Sequence, residues 1–258
     1  MKLFFKYIKM NFKSELQYKT SFILSFFSQI FIVFSYYFVI LALFDKFNNV
    51  KGFTLYEVLL TYGIIEFGFS LVDCFARGLD KFDRQIISGN FDRILLRPAN
   101  IFVQIIANET DFVKISRTLQ ALIIIIISIV NLNIEWSILK IICLILMILS
   151  SIALFFGICI LGAAYCFVTI QGLEVRNVFS YGGKHMAQYP MGIFKKGILI
   201  FATVVIPYAL VNYYPLIYFI GKSNNIIYAF CPAVVFLYLI PCFVIFKKGI
   251  KKYSSTGS

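Results

Sequence analysis

Residues 77–117 read RGLDKFDRQIISGNFDRILLRPANIFVQIIANETDFVKISR, and the organisation of the chain follows from them. This stretch carries Arg77, Lys81, Arg84, Arg93, Arg97, Lys114 and Arg117 and lies between two apolar runs. So many charges cannot sit in hydrocarbon, where each costs about 2.5–3.5 kcal/mol at the centre of a span. The stretch is therefore an aqueous connection between two membrane spans, and its excess of Lys and Arg assigns it to the cytoplasm. Inside it, Ser88-Gly89-Asn90 is a turn signal. Phe91 to Leu96 then interleaves apolar and charged positions like a short helix, which Arg97-Pro98 stops because the residue before a proline is steered away from helical angles. A short, exposed, half-apolar helix in a cytoplasmic loop has the form of a docking element for a soluble partner.

Composition agrees with a membrane chain. Hydrophobic residues make up 60%, charged residues 14%, and the mean hydropathy is +0.87, against about 45–50% apolar and about 25% charged in an ordinary soluble domain. A chain of 258 residues has room for about six helical spans of about 20 residues and little else. The expected fold is all-α: a polytopic membrane protein forming a single transmembrane domain over residues 1–258. The formal net charge of +12 does not point to nucleic acid, because the basic residues gather at the ends of apolar runs. The six cysteines lie in or beside apolar runs with no CxxC pair, which suits small apolar fillers and predicts neither a metal site nor disulfides.

In chain order, residues 1–19 place Lys2, Lys6, Lys9 and Lys13 in one helical stripe beside an apolar face of Phe5, Ile8, Phe12 and Leu16. That pattern predicts an amphipathic helix lying on the inner membrane surface, its lysines at anionic headgroups. Apolar runs then predict spans at 20–44, 55–76, 118–132, 138–168, 197–212 and 226–246, with Trp136 at an interface. Residues 169–196 read as a second cytoplasmic loop, and 254–258 as a disordered tail. With both termini inside, 20 of the 24 Lys and Arg residues fall on the cytoplasmic side. That asymmetry orients the bundle as a multi-pass protein with cytoplasmic termini.

Catalytic chemistry is not encoded in any familiar form. No GxxxxGK[ST] loop, HExxH, CxxC or GxSxG occurs, so the chain is expected not to be an enzyme, to have no catalytic residues and not to hydrolyse ATP alone. Its single histidine, His185, reads as solvated polar surface in the second loop. Within the second span, Glu66 stands near the centre with Tyr62, Ser70 and Asp73 on the same helix face. An acid at that depth must face protein. This intramembrane polar stripe is read first as structural, with Asp73 pairing Arg77 one turn on, and second as a proton site.

Two stretches carry a family resemblance: IISGNFDRILLRP at 86–98 and YPMGIFKKGILIFATVVIPYALVNYYPLIYFIGK at 189–222. Both resemble the membrane subunits of type-2 ABC exporters, in the subgroup of small six-span permeases often found in pairs with a separate ATPase. The similarity extends to the amphipathic N-terminal helix, the span count and the orientation. It implies a permease subunit of an ATP-driven exporter in a bacterial plasma membrane, pairing with a second permease as a homo- or heterodimer, among membrane lipid and without nucleic acid. It also implies ABC ATPase subunits as partners, with ATP and Mg on them and no cofactor bound directly by this chain. A coupling helix falls within 79–98, giving Phe91, Asp92, Arg93, Ile94, Leu95 and Arg97 as ATPase-docking residues, with Phe91, Ile94 and Leu95 as the exposed apolar side. Re-entrant outer helices fall at about 211–229, and Pro207, Asn212, Tyr213, Tyr214 and Pro215 form an outer gate, the chain stopping inside the membrane at Pro215. Two other functions fit the residues less well: a secondary transporter using Glu66 for proton coupling, and a non-transporting sensor or assembly subunit. No internal repeat supports the first of these.

Overall fold

The structure is a computed structural model that describes residues 2–47, 49–169 and 173–254; residues 255–258 of the expected tail lie outside the described residues. Regular structure among them is helical apart from one isolated bridge between Val50 and Phe53. The helices are α1 (Lys2–Gln17), α2 (Lys19–Lys46), α3 (Leu55–Phe75), α4 (Arg77–Asp80), α5 (Phe82–Ile87), α6 (Asn90–Leu95) and α7 (Ile101–Asn108). They continue as α8 (Ile115–Asn131), α9 (Ile138–Tyr165), α10 (Leu173–Asn177), α11 (Gly183–Ala187), α12 (Lys196–Val204), α13 (Tyr208–Phe219) and α14 (Ile226–Lys252). Among the described residues, five helices are long and apolar enough to cross a membrane: α2, α3, α8 with the turn before it, α9 and α14. The bent pair α12–α13 would make a sixth if it formed one span.

Local chemistry starts these helices where they start. Thr54 and Glu57 form a capping box at the head of α3, the Thr54 N–H donating to Glu57 Oε2 at 2.9 Å. The Ser137 and Asn225 side chains accept from the first-turn amides of α9 and α14. Each satisfies a donor that the first turn leaves without a helical partner. Packing then sets depth. α3 is the central post, contacting α8 and α9 along its length. Close approach depends on glycine at two points: a Cβ on Gly63 would lie 2.7 Å from Ile125 Cγ1, and one on Gly68 would run into Ser151 of α9.

Two expected boundaries move. Of the loop expected over 169–196, the segment from α10 to Ile193 does not stay at one end but runs beside α3 from one end of the bundle to the other. Arg176 pairs with Asp80 just past the end of α3, at 2.7 Å, and Lys184 with Glu66 at its middle, at 3.1 Å. Thr61 Oγ1 donates to the Gln188 carbonyl at 3.0 Å, and Lys51, in the loop before α3, reaches the Ile193 carbonyl at 2.7 Å. The segment is broken into α10, a π-helical turn at Val178–Gly182, α11 and a 3-10 turn at Met191–Ile193. Lys195 and Lys196 therefore follow on at the end of the bundle that holds Lys51, which narrows the charge asymmetry without reversing it.

The second change concerns 197–212, which was expected to be one span. α12 and α13 meet at 108°, with the break at Val205, Ile206 and Pro207. Pro207 has no N–H to continue α12 and clashes with the preceding turn. Pro215, by contrast, stops nothing: it lies inside α13, which runs on to Phe219. The irregular region is thus 196–219, ahead of the expected 211–229.

Candidate functional site

The polar stripe of α3 sits at the centre of a buried ionic cluster. Glu66 is 1% exposed. Its Oε1 accepts from Arg117 through Nη2 and through Nε at 2.9 Å, and its Oε2 accepts from Gln188 Nε2 at 2.9 Å and faces Lys184 Nζ at 3.1 Å. Two turns along, Asp73 takes Arg77 at 2.6 Å, with Lys114 at 3.7 Å and Arg117 at 3.9 Å on its other oxygen. Arg77 also reaches Asp80 at 2.8 Å, and Asp80 in turn holds Arg176. Burial raises the Asp80 carboxyl above its ordinary value against the pull of Arg176 and Arg77. Burial acts downward on Arg77, but Asp73 and Asp80 outweigh it and hold the guanidinium above its usual range. Of the remaining stripe residues, the Tyr62 hydroxyl donates to the Val33 carbonyl at 3.3 Å, and the Ser70 and Thr118 hydroxyls lie 2.9 Å apart.

All four stripe residues are buried, and the expected Asp73–Arg77 pair is present. Sequence reading missed the partners of Glu66. Arg117 was assigned to the aqueous loop, yet it is 5% exposed within α8, and Lys184 was assigned to a loop, yet it is 3% exposed. The available signal was a lone acid at mid-span, which requires a cation from a neighbouring element. His185 is also not free surface: it is half-buried, bonded through Nδ1 to Gln188 Oε1 at 3.2 Å, its ring 5.0 Å from that of Tyr36 on α2.

The expected docking helix is α6, with a different face outward. Phe91 and Ile94 are core residues, 0% and 5% exposed. Phe91 stacks edge-on against Phe82 at 5.1 Å and Tyr253 at 4.8 Å, which anchors the α5–α6 hairpin to the end of α14. The exposed apolar groups are Ile87, Leu95 and, above all, Leu96 at 85%, among exposed Arg84, Arg93 and Arg97. Arg97 also donates to the Tyr7 hydroxyl of α1 at 2.8 Å, while Asp92 is half-buried. Gly89 makes the α5–α6 turn at φ 67°, a left-handed conformation that costs glycine little.

At the opposite end, the expected gate residues are brought together on α13 and its approach. Pro207 marks the bend, and buried Asn212 donates to the Ala187 carbonyl. The Tyr213 and Tyr214 rings lie 5.3 Å apart, and the Pro215 carbonyl faces Cys143 Sγ at 3.7 Å. Tyr208 adds a hydroxyl bond to the Phe179 carbonyl. Lys222 closes this end, donating to Glu57 at 2.6 Å and to the Gly52 carbonyl at 2.8 Å. Among the described residues, no three His, Cys, Asp or Glu side chains converge as a metal site.

Neither the curated proteins nor the solved structures contain a match to this chain. A family profile described as ABC-2 family transporter protein matches residues 30–257. The match begins inside α2 and takes in the buried cluster, the hairpin carrying α6 and the bent α12–α13 pair. The bundle of long apolar helices, built around an α3 that can carry charge because protein surrounds it, is a membrane transport component, and the chain belongs to the ABC-2 transporter family.

Proposed function

We propose that the chain is the permease subunit of an ATP-driven exporter in a bacterial plasma membrane. It pairs with a second permease and with separate ABC ATPase subunits that bind ATP and Mg. In this reading six segments cross the membrane: α2, α3, α8, α9, the broken segment 173–193 and α14. The α12–α13 pair enters from the outer side, bends at Pro207 and returns, so that it roofs the path between two permeases. Both termini and residues 77–117 lie in the cytoplasm, and α1 rests on the inner membrane surface with its lysines at the headgroups.

The observation that carries this reading is the tip of the α5–α6 hairpin. Ile87 and Leu96 stand exposed on a hairpin that also exposes Arg84, Arg93 and Arg97, while Phe82 and Phe91 fix that hairpin to Phe167, Phe246 and Tyr253. Exposed apolar side chains among exposed cations suit a protein groove better than water. α13 packs against α9, α14 and segment 173–193, and Ile206 and Pro207 at the bend are buried, which suits backbone at membrane depth. Glu66 is enclosed by three donors, which favours the structural role over a site that loads and unloads protons. The reading is tested by co-purifying the ATPase with an Ile87→Asp/Leu96→Asp variant. The expected result is normal insertion with loss of the ATPase; recovery of the ATPase at the wild-type level would remove α5–α6 as the docking element.

A further inference from the structure

The ionic cluster around α3 does not balance. Three carboxylates, Glu66, Asp73 and Asp80, face five cations, Arg77, Lys114, Arg117, Arg176 and Lys184. At its deepest point the excess is plainest: Arg117 and Lys184 share the single carboxylate of Glu66, and all three are nearly fully buried. Asp73 is the next carboxylate, 3.9 Å from Arg117, and Arg77 and Lys114 already claim it. The aromatic face of Phe69 lies under both cations, with Lys184 Nζ 4.7 Å and Arg117 Cζ 5.5 Å from its centroid. Such contacts are worth about 0.5–2 kcal/mol and do not neutralise charge. Surplus positive charge in a medium of low dielectric is costly, several kcal/mol per ion.

The surplus lies one layer beneath partly exposed side chains. Beside Lys184 stand Tyr36, whose ring centroid is 6.0 Å from Nζ, and half-buried His185. Tyr36 is 39% exposed and belongs to α2, whose fully buried side chains are only Val33 and Ile40. His185 is at the level of Glu66, since Gln188 bonds to both. A partly exposed histidine at that depth does not face lipid; it faces a partner or an aqueous path.

We infer that the transported molecule carries an anionic group, a carboxylate or a phosphate, and that it is recognised at mid-depth by Lys184 and Arg117 from behind His185 and Tyr36. The inference rests on the permease reading for the origin of the anion. Glu66 is then an internal competitor: it holds the two cations in place between transport events and yields part of their charge when the anion arrives. Charge-assisted hydrogen bonds from Lys and Arg to a carboxylate or phosphate are about twice as strong as neutral ones.

The competitor role gives the test its sign. Purified chain in neutral phosphatidylcholine nanodiscs, with no ATPase present, is titrated with octyl phosphate, octanoate, octyl glucoside and octyltrimethylammonium, and binding is read from the shift in Tm. The expected result is saturable stabilisation by octyl phosphate or octanoate, the stronger of the two naming the anion, and none by the neutral or cationic amphiphile. Glu66→Gln should tighten anion binding and Lys184→Gln should weaken it, each by about tenfold, which corresponds to one charge-assisted contact. A cluster with only a structural role would lose affinity in both variants alike. His185→Ala keeps every ion pair and should weaken binding a few-fold, so the question stays decidable if a glutamine variant fails to fold. Equal stabilisation by octyl glucoside, no effect of His185→Ala, or weaker binding in Glu66→Gln overturns the inference. Because no ATPase is present, a negative result here leaves the docking of α5–α6 untouched, and loss of docking leaves this binding measurable.

Discussion

α2 and α3 are consecutive apolar helices of similar hydropathy, 2.1 and 1.6 over their most apolar windows, yet 83% of that window in α3 is buried in the bundle and only 11% in α2. The more apolar helix is the barer one. α3 carries Glu57, Glu66 and Asp73 and is wrapped by α8, α9 and segment 173–193, so each charge finds a protein partner. α2 carries none between Lys19 and Asp45 and exposes Phe31, Phe38 and Val39. Within a membrane, then, hydropathy measures what a helix can tolerate outside it and says little about how much protein covers it. Polar groups mark the covered helix.

The most forceful way to break that contrast is to remove the charge from α3. Glu66→Leu leaves Arg117 and Lys184 buried without their carboxylate, and breaking one side of a buried pair costs about 3–5 kcal/mol. The chain is expected to accumulate poorly and to unfold at low denaturant. A Glu66→Leu/Lys184→Leu double variant should recover part of the loss, since fewer cations are left stranded. Denaturant titration of the purified chain in detergent measures both; single and double variants of equal stability would show that the cluster is not coupled.

Close packing around α3 comes next. At Gly68 a Cβ would meet Ser151 of α9, so Gly68→Ala must push α3 and α9 apart, at a cost of about 1–3 kcal/mol. A Gly68→Ala/Ser151→Gly pair should restore much of it. Thermal unfolding of the three chains decides the matter: a Gly68→Ala chain as stable as wild type would mean that α9 does not press on α3 there.

The same contrast explains what could be read in the residues. The five long helices were legible because each is a continuous apolar run, and Asp73–Arg77 was legible because both partners lie on one helix turn. Segment 173–193 was not legible as a traverse. Gly182, Gly183, Lys184, His185, Gln188 and Pro190 lower its hydropathy, and sequence reading charges those groups the full price of lipid, whereas here Glu66, Thr61 and Asn212 meet them or the backbone around them. Residues 197–212 failed in the opposite sense, apolar enough for a span but bent at Pro207, with Tyr208 and Asn212 held by carbonyls of segment 173–193. On α6, the alternation of apolar and charged residues was legible, but which apolar residues turn inward depends on Phe82, Phe167 and Tyr253, each distant in sequence or across a turn.

The smallest expected effect on stability is on α2, and it sharpens the comparison by asking what covers the bare helix. Val33 and Ile40 face the bundle, and Ser28 and Ser35 lie on a face turned well away from them, with both hydroxyls bonded to their own helix at Leu24 and Phe31. Those bonds leave the serines with no demand on a neighbour, so a larger side chain there should change the stability of the single chain by less than about 0.5 kcal/mol. Lipid would accept the extra bulk. A second permease packed on this face would not, because small side chains are what allow two membrane helices to approach closely. Ser28→Trp and Ser35→Trp are therefore expected to leave Tm of the isolated chain unchanged while reducing its association with a second permease, read by crosslinking in native membranes. If association persists undiminished in both variants, the bare face of α2 is clothed by lipid, and the second permease must pack elsewhere on the bundle.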